Sequence, residues 1–131
     1  MSSTLQITKE TPENGAVAVL KANGRLDANT VNIMEKALTD SLVAGAKALV
    51  LDLAELTYIS SSGLRALLTA KRSAGQKKGD LFISALKRNV RDVFDMVGFS
   101  AVFHIHETTE QALAAAQKLV GPPKDSEQKV S

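Results

Sequence analysis

Three consecutive serines, Ser60, Ser61 and Ser62, could do chemistry, because each carries a hydroxyl that can accept a phosphoryl group. They follow an apolar segment that ends at Ile59 and precede Gly63 and a run of apolar residues at helical spacing. Helix capping explains one of these hydroxyls, since its oxygen can accept a hydrogen bond from an unpaired backbone N–H of the first turn. Two further hydroxyls exceed what a cap requires, which makes this segment a candidate modification site.

A phosphate at the start of this helix would be compatible with the fold. Its charge of about −2 would lie against unpaired N–H groups and the positive end of the helix dipole. A protein partner packed flat against the same spot would have to desolvate that charge. We therefore expect a site where modification weakens binding while the fold persists.

Strand and helix patterns alternate along the chain, which is typical of an α/β domain with a mixed, mostly parallel sheet. Four to five strands and about four helices are expected. The first two strands should form a hairpin with Pro12, Asn14 and Gly15 in its turn, and Asn23-Gly24 should end the second strand. The predicted strands cover residues 5–9, 16–21, 48–53, 81–85 and 102–105. The predicted helices have apolar faces at Val31, Met34, Leu38 and Leu42; Leu64, Leu67 and Leu68; Val90, Val93, Phe94 and Val97; and Ala112, Leu113, Ala116 and Val120.

We expect one folded domain over residues 1–121 and a disordered tail over residues 122–131. Gly121, Pro122 and Pro123 end the last helical pattern, and the residues after them are polar with one isolated apolar side chain. Such a segment buries too little apolar surface to offset its ordering entropy.

Composition and charge exclude several functions. A chain of 131 residues, 44% of them hydrophobic, fits one globular domain. Its 16 basic and 14 acidic residues are scattered, so no concentrated positive field predicts a nucleic-acid partner. There is no cysteine, no signal-peptide pattern and no apolar stretch of membrane-spanning length, so we expect a cytoplasmic protein with no membrane partner.

Residues 52–65, DLAELTYISSSGLR, resemble the signature of the STAS-domain anti-sigma factor antagonists, also called anti-anti-sigma factors. The segments Gly24-Arg25-Leu26-Asp27 and 93–99, VFDMVGF, are similar to further parts of that family, and the resemblance spans roughly residues 5–120. It implies a single STAS-like domain.

The resemblance also implies a partner switch. The unphosphorylated protein would bind an anti-sigma factor that is also a GHKL-type serine kinase, and would thereby free a sigma factor; a PP2C-type phosphatase would reverse the modification. The family's phosphoacceptor lies two positions before the motif glycine, which falls on Ser61, with Ser62 and Ser60 as neighbours. Family members commonly carry aspartate immediately before the acceptor, whereas this chain has Ser60, which could compete as an acceptor.

The partner-binding surface implied by the resemblance surrounds these serines. We expect Asp27 to cap the first helix, either in that role alone or with an additional direct contact to the partner. Gly24 would allow a partner's backbone to approach closely. We expect Asp52 to end the central strand near the same edge, in a structural role. Arg65 is expected on the exposed side of the second helix, either as a partner contact or as plain solvated surface. The implied partner-binding residues are Gly24, Arg25, Asp27, Ser60, Ser62, Gly63, Leu64 and Arg65.

No catalytic template fits the sequence, so we expect a regulator that is not an enzyme and needs no metal or cofactor. A serine hydrolase would need a base beside its nucleophile, and the two histidines, His104 and His106, share one face of a short strand, where surface roles are usual. Weak nucleotide binding would need a phosphate cradle that the sequence lacks. The strongest alternative is a STAS subunit of a transporter or other regulatory complex that works without phosphorylation.

Overall fold

The polypeptide folds into alternating strands and helices. The computed structural model describes residues 4–12 and 15–121; the predicted tail, residues 122–131, and Asn14 of the predicted turn lie outside these ranges. A short 3-10 helix, Phe99–Ala101, precedes the last strand. The elements in chain order are β1 (Leu5–Glu10), β2 (Val17–Leu26), α1 (Val31–Val43), β3 (Ala48–Ile59), α2 (Ser61–Gln76), β4 (Asp80–Ser84), α3 (Arg88–Met96), β5 (His104–His106) and α4 (Thr109–Val120).

The strands form one mixed sheet in the order β1-β2-β3-β4-β5. β1 is antiparallel to β2, which confirms the predicted hairpin pairing, and the strands from β2 to β5 run parallel. Parallel neighbours need a crossover connection, and α1, α2 and α3 each supply one. The predicted α/β class with a mostly parallel sheet is therefore confirmed.

The central strand β3 is buried on both faces. Leu49, Leu51 and Leu53 lie in the larger core cluster, which contains the buried faces of α1, α2 and α3. Ala48 and Val50 point the other way, into the smaller cluster beneath α4. Successive side chains of a strand alternate between faces, so covering both faces requires an uninterrupted apolar run. This arrangement explains the continuous apolar segment in the sequence.

Two strands are longer than the sequence predicts. Asn23 and Gly24 do not end β2, which continues to Leu26, and the pairing with β3 shifts register twice near these residues. The glycine thus belongs to a strand irregularity, where Gly is common. β3 also continues beyond residue 53, to Ile59. Both extensions carry the sheet as far as the serine segment.

The close approach expected at Gly24 is made by the chain itself. Gly24 has a φ of +123°, a conformation that favours glycine, and a side chain here would overlap the carbonyl oxygen of Thr4. The neighbouring N–H of Arg25 donates to the same oxygen at 3.2 Å. The prediction that Gly24 admits a partner's backbone is therefore corrected, because Thr4 occupies that space.

The last strand is later and shorter than predicted. The sequence predicts a strand over residues 102–105, but β5 is His104–His106. The 3-10 helix lies between α3 and this strand, and Phe103 then turns into the core, 5.8 Å from Phe94 between ring centroids in an edge-on arrangement. Because the Phe103 ring is buried in the core, the strand begins after it, at His104, and not at residue 102 as the sequence predicts.

The helix starts follow the predicted capping chemistry in part. At α4, Thr108 Oγ1 accepts from the Gln111 N–H at 3.1 Å, and Gln111 Oε1 accepts from the Thr108 N–H at 3.3 Å, which together form a capping box. At α1, Thr30 precedes the first helical residue, but its side chain makes no capping bond. Across residues 4–12 and 15–121, no helix combines the length and the apolar character needed to cross a membrane.

Asp80, the first residue of β4, joins three elements. Its carboxylate accepts from Lys71 Nζ of α2 at 2.6 Å and from the Leu81 N–H at 2.7 Å, and it lies 2.9 Å from His104 Nε2 of β5. Burial raises the pKa of the Asp80 carboxyl, but these bonds outweigh burial and hold that pKa below its ordinary value. His104 also stacks on Phe82 at 5.2 Å, so its surface position has a structural role.

We expect Asp80→Asn to lower the free energy of unfolding by about 1 kcal/mol near neutral pH, because the charged bonds to Lys71 and His104 are weakened. The folded-state pKa of Asp80 lies below the unfolded value, so this stabilisation is present above the unfolded pKa and is lost as the pH falls through the folded pKa. Urea unfolding near neutral pH and at about pH 3, below the ordinary aspartate pKa, measures both effects.

Asp92→Asn is the matched control for this prediction, since Asp92 makes only an exposed pair with Arg88 at 3.9 Å. It should change the free energy of unfolding by less than about 0.5 kcal/mol. The free energies of unfolding of wild type and Asp80→Asn should differ less at about pH 3 than near neutral pH. An equal difference at both pH values would contradict the role of the Asp80 charge in stabilising the fold.

Candidate functional site

The ends of β2 and β3 meet at the serine segment. Leu26 pairs with Ile59, and the N–H of Ser60 donates to the Leu26 carbonyl oxygen at 2.9 Å. This bond places the loop before α1 beside the first turn of α2. Binding sites in α/β sheets usually form at the carboxyl ends of parallel strands. The structure thus brings together residues 24–27 and 60–65, the two segments singled out in the sequence.

The three serine hydroxyls have different environments. Ser60 is the N-cap of α2, and its Oγ accepts from the Gly63 N–H at 3.2 Å and lies 2.9 Å from Ser62 Oγ. Ser62 is half-buried. Ser61, the first helical residue, is exposed, and its hydroxyl has no hydrogen-bond partner among residues 4–12 and 15–121. Two hydroxyls therefore form bonds at the helix start, and the Ser61 hydroxyl is left exposed.

Gly63 is required by packing. A Cβ at this position would lie 2.7 Å from Leu26 Cγ, closer than side chains tolerate, and 3.0 Å from Ile59 Cγ1, a tight contact. The first turn of α2 can therefore approach the strand ends only with glycine here. Leu64 is only 5% exposed and belongs to the core, so its predicted partner contact is corrected to a packing role.

Asp27 organises the loop before α1. Its Oδ1 accepts from the N–H groups of Asn29 at 3.0 Å and Thr30 at 3.2 Å, and its Oδ2 lies 3.6 Å from Arg25 Nε. These N–H groups precede the first residue of α1, so Asp27 caps the turn that leads into the helix and does not cap the helix itself. Its side chain is 17% exposed, which leaves little of the carboxylate for a partner.

Thr30 holds this loop against the sheet. Its Oγ1 donates to the Arg25 carbonyl oxygen at 2.7 Å and accepts from the Asp27 N–H at 3.0 Å. The residue is 3% exposed, so these bonds replace water for a buried hydroxyl. Thr30 is not among the residues predicted for the site, because its bonds to residues 25 and 27 depend on how the loop folds.

An exposed aromatic ring, that of Tyr58, precedes the serine segment in the chain and was not among the predicted contacts. The Arg25 guanidinium is 4.3 Å from the centre of the Tyr58 ring, a cation–π contact. Tyr58 is 40% exposed, although its neighbour Ile59 is buried. This exposure could have been predicted from the sequence, because successive side chains of a strand point to opposite faces and Tyr58 therefore points away from the face that buries Ile59. Tyr and Arg side chains are frequent anchors of protein interfaces.

Arg65 lies one turn after Ser61 on the exposed side of α2, as predicted. Within residues 4–12 and 15–121, no carboxylate forms an ion pair with it. The sequence of α2 contains no acidic residue, so no carboxylate of the same helix can pair with the Arg65 guanidinium. The guanidinium is therefore available to a ligand or a partner.

Asp52 does not belong to this site. The sequence places it at the end of the central strand, but it lies in the middle of β3, paired with Lys21 on one side and Ser84 on the other. Its Oδ1 accepts from the Ala54 N–H at 3.0 Å. The expected structural role fits this bond, whereas the expected position is wrong because β3 is six residues longer than predicted.

Comparison with known proteins identifies relatives of this chain. The family model for the STAS domain matches residues 8–112. A Bordetella bronchiseptica protein, BtrV, described as an anti-sigma factor antagonist, is 32% identical over 111 residues, which are 85% of this chain and 94% of that protein.

Solved structures share the fold. The Bacillus anti-sigma factor antagonist SpoIIAA in its unphosphorylated form gives a TM-score of 0.75 at 18% identity, covering 86% of this chain and 97% of that one, and its phosphorylated form is also known. A sulfate transporter family protein of Wolinella succinogenes gives 0.70 at 22% identity, covering 86% and 92%.

We expect Gly63→Ala to lower the free energy of unfolding by about 1 kcal/mol or more, because the added methyl group overlaps Leu26. Gly75→Ala is the matched control on the same helix, since a Cβ there meets no atom within 4 Å, and it should raise stability by up to about 1 kcal/mol through helix propensity. Urea unfolding of both variants measures the difference. Equal effects of the two substitutions would contradict a packing role for Gly63.

Proposed function

Because the chain belongs to the STAS-domain family, we propose that it is an anti-sigma factor antagonist whose binding to its partner is controlled by phosphorylation of Ser61. The observation that carries the proposal is the exposed, unbonded hydroxyl of Ser61 at the first position of α2. The homologue BtrV is described as an anti-sigma factor antagonist, which supports the general role.

Ser61 suits a kinase better than its neighbours do. The side chain of a phosphoacceptor must project far enough from the surface to enter the active site of a kinase, and its oxygen must be free to attack phosphorus. Ser60 would first have to release the Gly63 N–H, and Ser62 is half-buried against Ser60. In the transfer step the Ser61 oxygen bonds to the γ-phosphorus of ATP, the bond to ADP breaks, and the hydroxyl proton passes to a base of the kinase.

The unmodified site offers a surface for a partner. Arg65, one helical turn after Ser61, is exposed and forms no ion pair among the described residues, and Tyr58, with the Arg25 guanidinium over its ring, is exposed near the end of β3. A partner covering Arg65 and the first turn of α2 would also cover the Ser61 hydroxyl. Phosphorylation would then place about two negative charges in a desolvated interface, which weakens binding.

We propose that the partner is an anti-sigma factor that is also a GHKL-type serine kinase, and that a PP2C-type phosphatase removes the phosphate. The unphosphorylated protein then holds the anti-sigma factor and frees a sigma factor. The proposed site of action is the cytoplasm, where ATP is available to the kinase. The SpoIIAA structure, solved with and without phosphate, supports this cycle by analogy.

A second role would leave the same surface in use without modification. The sulfate transporter family protein of similar fold suggests a STAS subunit within a transporter or other regulatory complex. Such a subunit would need the apolar and cationic groups at the strand ends but not the free hydroxyl. Phosphorylation therefore separates the two proposals.

The cognate kinase is identified as the serine kinase that binds this protein. Incubation of the protein with that kinase and ATP should add one phosphate, at Ser61. Peptide mass spectrometry locates the phosphate, and Ser61→Ala should abolish the modification. Ser60→Ala keeps the acceptor and removes the cap, so phosphorylation should persist in that variant. Modification confined to Ser60 or Ser62 would contradict the choice of acceptor, and no modification would favour the transporter role.

Ser61→Asp should weaken binding to the anti-sigma factor at least tenfold, or about 1.4 kcal/mol, whereas Ser61→Ala should bind as wild type does, because a negative charge at the interface opposes binding. Gln76→Glu is the control, since it adds the same charge at the other end of α2. Isothermal titration gives the affinities, and unfolding curves check that each variant folds. Equal affinities of Ser61→Asp and Ser61→Ala would refute switching by charge.

A further inference from the structure

We infer that Arg65 binds the phosphate on Ser61, which holds the modified side chain against α2 and withdraws the Arg65 guanidinium from the partner. The inference rests on the proposed phosphorylation of Ser61. It assigns a positioning role to an exposed residue, and it concerns the phosphorylated form of the protein alone.

Helix geometry brings the two side chains together. Ser61 and Arg65 are four residues apart in α2, so they share a face with their Cβ atoms about 6 Å from each other. Long side chains in a helix lean toward its N-terminus and cover the preceding turn. The Arg65 side chain can therefore reach back over the turn that carries Ser61, where a phosphate on Ser61 would meet the guanidinium.

Arg65 is the one cation of α2 placed for this task. Lys71 is bound to Asp80 at 2.6 Å, and Arg72 lies eleven positions after Ser61, about 16 Å along the helix. An acidic residue N-terminal to a basic one at this spacing is also the favourable order, since it agrees with the helix dipole.

Three acidic residues lie on α1, which packs beside α2, and on the loop before it. Asp27 is paired with Arg25 and with loop N–H groups, Asp40 pairs with Lys36 at 3.1 Å, and Glu35 lines a groove with Ala66 and Thr69 of α2. None of these carboxylates forms an ion pair with Arg65. A phosphate, with about twice their charge and three acceptor oxygens, would therefore be the stronger ligand for the guanidinium.

The contact makes the switch act through two changes at once. Phosphorylation adds negative charge at Ser61, and it also removes the free cation at Arg65 from the surface offered to the partner. A neighbouring cation favours the doubly charged phosphate, so the second pKa of the phosphoserine is lowered. The modified site then carries its full charge near neutral pH.

The test uses full-length protein with phosphoserine incorporated during translation at position 61, so that no kinase is needed. Phosphorus NMR follows the titration of the phosphate. Arg65→Gln should raise the titration midpoint by about 0.4 pH unit, the shift expected for an exposed pair at this spacing. Arg65→Lys should give an intermediate midpoint, because it keeps the charge and loses the planar fork. Arg72→Gln, on the same helix beyond reach, should leave the midpoint unchanged.

A structural role for Arg65 would give a different result. In unphosphorylated protein, Arg65→Gln should leave the thermal midpoint of unfolding unchanged, whereas a structural residue would shift it in both forms. An unchanged phosphate midpoint in Arg65→Gln, or equal shifts in Arg65→Gln and Arg72→Gln, would overturn the inference. Failure of the kinase to modify Ser61 would instead count against the proposed function and leave this titration unaffected.

Discussion

The contact between the first turn of α2 and the end of β2 determines the rest of the site. One hydrogen bond, from the Ser60 N–H to the Leu26 carbonyl oxygen, joins the two strand ends, and Gly63 lets the helix settle against the Leu26 side chain. The hydrogen bond requires a close approach of the two chains, and the packing at Gly63 leaves no room for a larger side chain. They fix the helix start so that the Ser61 side chain must point outward from a rigid support.

The division of labour among the serines follows from this contact. A helix start must satisfy its unpaired N–H groups, and Ser60 does so through its own oxygen. That hydroxyl is then bound within the fold, together with Ser62 beside it. Ser61 has the one hydroxyl of the three that forms no hydrogen bond within residues 4–12 and 15–121, and it is exposed. Adjacent residues of the same type therefore differ in role: Ser60 and Ser62 bond at the helix start, and Ser61 does not.

The sequence predicts the architecture well where the pattern is local and repetitive. The buried strand of residues 48–53 and the capping of α2 by one of the serines are examples, since each depends on neighbours in the chain. Gly24 is misread as a strand end because glycine also occurs within strands that bulge, and only the position of Thr4 explains it.

The candidate site is predicted in its components but not in their arrangement. The serine segment and Arg65 follow from the motif and from helical spacing. The burial of Leu64 and the pairing of Arg25 with Tyr58 depend on how α2 and β3 pack, which involves residues distant in sequence. The position of Asp52 is misjudged for the same reason, because the length of β3 is set by its pairing with β2.

The salt bridge between Lys71 and Asp80 anchors α2 at a point well removed from Ser61. Ten residues of helix separate Lys71 from Ser61, about 15 Å along the axis, whereas the Debye length at physiological ionic strength is about 8 Å. Mobile ions therefore screen the anchor from a charge change at the helix start. A charge added at the start of α2, as proposed for Ser61, would therefore leave the electrostatic attachment at the far end of the helix unchanged.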